Sequence, residues 1–104
     1  MKATQMPQID FSQVTQALYM AFELGKSSWT LAFSNGSKIR LRTIVARNFK
    51  QLEKEMTVAI QKLNFPKDVP VVSCYEAGRD GFWLHRKLVN RGVINLVVDS
   101  SSIE

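Results

Sequence analysis

Ser28-Trp29-Thr30-Leu31-Ala32-Phe33-Ser34-Asn35-Gly36-Ser37-Lys38-Ile39-Arg40-Leu41-Arg42-Thr43-Ile44 is the stretch on which the fold turns. Trp29, Leu31 and Phe33 fall on one side of an alternating run, the period of a β-strand with one apolar face. Asn35-Gly36 then marks a hairpin, because both residues tolerate positive φ. From Lys38 the alternation resumes, with Ile39, Leu41 and Thr43 on one side and Lys38, Arg40 and Arg42 on the other. Upstream, Ala17 to Phe22 is almost continuously apolar before turning polar at Glu23. An apolar run without alternation predicts a strand buried on both faces. Three successive antiparallel strands follow from these readings.

Downstream the period changes. Phe49, Leu52, Met56, Ala59 and Leu63 are spaced three and four apart, on one face of a helix that Asn64 and Pro66 close. Val69–Tyr75 predicts a fourth, central strand ending in Glu76-Ala77-Gly78. A second helix runs from about Arg79 or Asp80 to Asn90, with Leu84 and Leu88 turned to the core and Gly92 beyond its end. Val93–Val98 makes a fifth strand, and Asp99 opens the loop or helix cap that follows. The order β-β-β-α-β-α-β predicts an α/β fold with a mixed five-stranded sheet in spatial order 3-2-1-4-5. Residues 1–16 are polar and glutamine-rich and read as an N-terminal arm, with the domain proper over 17–104.

Composition narrows the class. The chain has 104 residues, enough for one domain or part of one, and its 45% hydrophobic content argues against a disordered chain. Fourteen Lys and Arg against nine Asp and Glu give a net charge of +5 and a pI near 9.7, a balance that favours polyanionic partners. The single cysteine, Cys74, lies in an apolar run and can build neither a disulfide framework nor a multi-cysteine zinc site. No apolar run approaches the roughly 20 residues that span a membrane, and the N-terminus has no apolar signal core. The expectation is a cytoplasmic protein with no membrane partner.

Ligands of open α/β sheets gather at the carboxyl ends of strands where the strand order reverses. Glu23 ends the first strand and Glu76 the fourth, and the predicted order makes those ends neighbours. Adjacent carboxylates repel each other, and a divalent cation with a preference for oxygen, magnesium or manganese, relieves the repulsion. The plain alternative is a pair of solvated strand ends. Asp99 would be an auxiliary ligand or only a helix cap. Arg79, at the start of the second helix, is the first choice for a phosphate contact. His85, Arg86 and Lys87 on the second helix form either a DNA-facing strip or a solvated charged face.

The stretch Ser73-Cys74-Tyr75-Glu76-Ala77-Gly78-Arg79-Asp80-Gly81-Phe82-Trp83-Leu84-His85-Arg86, with Asn95–Glu104 and the opening Phe22–Phe33, resembles the N-terminal domain of DEDD-type insertion-sequence transposases. This family also holds the pilin-gene inverting recombinases. The resemblance implies a ribonuclease H-like domain similar to Holliday-junction resolvases, with an acidic tetrad holding Mg²⁺ or Mn²⁺ for DNA strand cleavage and transfer in transposition. Glu23 and Glu76 match the first two acids; most relatives carry aspartate at the first place. The last two acids and the family's catalytic serine belong to sequence beyond Glu104, so the expectation is a domain truncated at its C-terminus and inactive alone. DNA partners, a guide RNA and a homo-oligomer belong to the same implied picture. Two other readings stay open: a non-catalytic nucleic-acid-binding or assembly module, and a phosphate-handling enzyme of the actin-like ATPase fold, whose Gly-rich hairpin Gly25-Lys26-Ser27 meets poorly.

Overall fold

The computed structural model describes residues 16–78 and 81–98. Arg79, Asp99 and residues 1–15 of the expected arm lie outside the described residues. The elements run β1 (Leu18–Leu24), β2 (Ser28–Ser34), β3 (Ile39–Val45), α1 (Phe49–Lys62), β4 (Val71–Glu76), α2 (Gly81–Val89) and β5 (Ile94–Val98). They form an α/β fold with one mixed sheet in the order β3-β2-β1-β4-β5. β1 pairs antiparallel with β2 and β2 with β3, whereas β1–β4 and β4–β5 are parallel.

Both helices cover the same face of this sheet. The register aligns Arg40, Phe33, Met20, Ser73 and Asn95 across the five strands, and this row lies beneath the helices. Trp29, Leu31, Phe33, Leu18, Met20 and Phe22 share one core with Leu52, Ala59 and Leu63 of α1 and Leu84 and Leu88 of α2. Edge-to-face contacts run from Phe22 to Trp29, Trp29 to Phe49 and Phe49 to Trp83, joining sheet, α1 and α2 at one end. An Arg91–Glu53 ion pair of 2.8 Å links the end of the second helical segment to α1.

The opposite face carries the row Leu41, Ala32, Ala21, Cys74 and Leu96. No described element lies on it, and this corrects the expectation for the first strand. β1 is not buried on both faces: Leu18, Met20 and Phe22 are buried, while Tyr19, Ala21 and Glu23 are exposed. A nearly uniform apolar run had concealed a strand with one covered face. On β3 the inversion goes further. Arg40 and Arg42 share the helix side with Ile44, while Ile39, Leu41 and Val45 point outward, 71%, 65% and 61% exposed.

The chain breaks are set by local chemistry. Asn48 caps α1 by accepting a bond from the Gln51 amide at 3.0 Å. At its other end Asn64 takes the left-handed conformation (φ 61°), and the Phe65 amide reaches back to the Ile60 carbonyl. Gly92 (φ 80°) plays that part after α2, where the Val93 amide bonds to the Leu88 carbonyl and both side chains are buried. The hairpin Asn35-Gly36 forms, although only Gly36 has positive φ. Asn35 contributes through its side chain, whose Oδ1 accepts from the amides of Ser37 and Lys38. Among the described residues no helix is long and apolar enough to cross a membrane.

Candidate functional site

The parallel ladder between β1 and β4 ends at the pair Phe22 and Tyr75. One residue further, Glu23 remains paired with Thr30 of β2 and Glu76 with Val98 of β5. The two strands thus keep their outer partners and part from each other, and a cleft of about 410 Å³ opens between them. Phe22, Glu23, Leu24, Glu76, Ala77 and Gly78 line it. Glu23 and Glu76 occupy equivalent positions on neighbouring parallel strands, so both carboxylates leave the sheet on its open face, and both are exposed. The Ala77 amide donates to the Val98 carbonyl at 2.7 Å, carrying β4's pairing with β5 past Glu76 and fixing the wall of the cleft.

Two carboxylates supply hard oxygen donors of the kind that magnesium and manganese take, and water can complete the coordination. Among the described residues, no group of three or more His, Cys, Asp or Glu comes together as a metal-holding cluster. The described residues therefore offer two carboxylates at the position where open α/β sheets bind ligands.

The basic candidates are placed elsewhere. Arg86 and Lys87 are exposed in the last turn of α2, while Glu76 lies at the end of β4 from which the chain enters that helix. There they complement the negative end of the helix dipole. Lys87 Nζ lies 6.0 Å from the Phe49 ring centroid, with the Arg91 guanidinium 4.9 Å from the same ring. These two cations sit by α1 and away from the open face that carries the carboxylates.

His85 does not join its neighbours in a charged strip. It is half-buried, and its Nδ1 lies 2.9 Å from Asn95 Nδ2. The Ser73 hydroxyl donates to Asn95 Oδ1 at 2.6 Å, and the other end of the same amide faces the His85 ring. This buried chain joins β4, β5 and α2. Sequence reading also passed over Glu55, which is buried in α1 and receives both Nε and Nη2 of Arg42 at 3.1 and 3.3 Å. Only its slot in the apolar stripe, three residues after Leu52 and four before Ala59, hinted at burial.

No family model matches the chain. Over 92 residues, 84% of the chain, it is 29% identical to a protein of Sinorhizobium fredii named "Putative transposase y4rJ". The chain spans 23% of that protein's length.

Proposed function

We propose that this chain forms part of a ribonuclease H-like catalytic domain of a transposase, in which Glu23 and Glu76 are ligands for magnesium or manganese. The observation that carries this reading is the placement of the two glutamates. They stand side by side on parallel strands, facing one cleft, at the point where the strand order reverses. The likeness to a transposase-named protein supports the same direction, as does the net charge of +5. Bound there, the ion would neutralise and polarise a DNA phosphodiester. Glu23 and Glu76 then serve as ligands and not as proton acceptors.

Two carboxylates leave most of an octahedral shell to water, so affinity in the chain alone is weak. Manganese titration followed by paramagnetic line broadening tests the site. Broadening should centre on residues near 23 and 76 and vanish in the Glu23→Gln, Glu76→Gln double variant. Broadening centred elsewhere, or unchanged in the double variant, overturns the assignment. The same chain should leave supercoiled plasmid intact with manganese, because two carboxylates hold the ion too loosely to stabilise a cleavage transition state. Nicking that Glu76→Gln abolishes would show that two suffice.

A further inference from the structure

An acidic crevice repels the phosphates it is proposed to act on, so a DNA-handling site needs cations around its mouth. The carboxyl-terminal edge of the sheet carries three in described positions: Lys26 in the β1–β2 turn, Arg47 in the β3–α1 loop and Lys50 in the first turn of α1. All three are exposed. Lys26 is three residues past Glu23, within about 11 Å along the chain. Neither Lys26 nor Lys50 has a carboxylate partner among the described residues, whereas Arg42 and Arg91 are committed to Glu55 and Glu53. Lys50 also opens a helix whose first turn holds no acid, against the usual dipole preference, so nothing there offsets its charge.

The two loops are fastened together. Arg47 Nη2 donates to the Lys26 carbonyl at 3.1 Å, and the Ala46 amide donates to the Ser27 carbonyl at 3.0 Å. The turn is tight, with the Gly25 amide bonded to the Ser28 carbonyl at 3.0 Å. Arg47 holds a positive φ of 65°, which is unusual for a long side chain and absent from the other described arginines.

We propose that Lys26 and Lys50 contact the phosphodiester backbone of duplex DNA, and that Arg47 is the positioning residue that holds the Lys26 turn at the crevice. This rests on reading the crevice as a DNA-processing site, but it makes a separate demand: the rim binds DNA without metal. The contact is electrostatic and independent of base sequence, and it places the backbone across the mouth of the cleft. It assigns DNA contact to Lys26 and Lys50 on this edge, and not to Arg86 and Lys87 in the last turn of α2.

The test is fluorescence anisotropy of a mixed-sequence duplex oligonucleotide with the full chain in EDTA, over a range of salt. The slope of log affinity against log salt counts phosphate contacts at about 0.9 each. Lys26→Gln with Lys50→Gln should lower the slope by roughly 2 and the low-salt affinity on the order of tenfold. Arg47→Gly accepts the backbone angle without strain, so the fold survives while the clamp is lost. It should lower the slope by about 1 with no fall in the urea midpoint, a combination that a purely structural role would not give. Glu23→Gln with Glu76→Gln, which ends manganese broadening, removes the acids that repel phosphate and should strengthen low-salt binding in EDTA; weaker binding in that variant would overturn the rim contact. If the rim variants bind like the parent, or Arg86→Gln with Lys87→Gln alone removes binding, this proposal falls and the metal assignment stands on its own titration. Absence of binding at low salt also overturns it.

Discussion

Glu55 is the one charged side chain buried among the described residues. It is 7% exposed, and its carboxylate is held by an Arg42 side chain that stays 46% accessible. Arg42→Ala strands a buried acid, and the expected loss is about 1–3 kcal/mol, at the lower end because water reaches the arginine's side of the pair. Adding Glu55→Leu should recover most of that loss, since the position lies between Leu52, Met56 and Ala59 on the apolar side of α1. Urea denaturation of the single and double variants measures both; equal stability of Arg42→Ala and parent would mean the pair is only a surface contact. The partners lie 13 residues apart on different elements, so no local pattern in the sequence announces them. Glu23 and Glu76 were legible because each interrupts an apolar run at its polar end. Ser73, Asn95 and His85 were not, because their bonding needs the β4–β5 register to bring Ser73 opposite Asn95.

At the scale of elements, turns and caps carry most of what the sequence states openly. Gly92→Ala meets nothing within 4 Å, so its cost is that of the left-handed backbone alone, about 1 kcal/mol. Gly25→Ala is a different case: a Cβ there would stand 2.6 Å from the Ser28 carbonyl oxygen, the acceptor that closes the β1–β2 turn. It should cost more than Gly92→Ala in thermal unfolding, because backbone must shift to make room; a smaller loss would show the turn to be loosely held. Order, type and pairing of the elements followed from period and punctuation. The hairpin at Asn35-Gly36, the helix stripe from Phe49 and the strand ending at Glu76 all stand in the structure as read. What periodicity could not show was which side of a strand is covered. Leu18-Tyr19-Met20-Ala21-Phe22 is apolar on both sides, yet only one of its sides meets the helices.

At the scale of the whole molecule, the side that no described element covers is the dominant physical fact. Ile39, Leu41 and Val45 on β3 and Tyr19 on β1 are 71%, 65%, 61% and 45% exposed, and Ala21, Ala32, Cys74 and Leu96 continue the same face between and beyond them. Five strands about 4.8 Å apart and some 17 Å long present on the order of 400 Å² of flat footprint, enough for apolar association to compete with solvation. Charge does not guard the centre of this face, since its described acids, Glu23 and Glu76, stand at one end. Among the described strands β3 is in addition an edge strand, whose outer backbone groups can pair with another chain. The chain alone should therefore associate with a second copy through this face, in a concentration-dependent way. Sedimentation velocity over a hundredfold range of concentration reads the effect. Leu41→Lys, central among the exposed apolar residues of β3 and clear of the core, should shift the chain toward monomer while leaving its stability within about 0.5 kcal/mol. A parent that stays monomeric throughout, or a Leu41→Lys variant that associates as strongly, would show that the open face is not what brings two copies together.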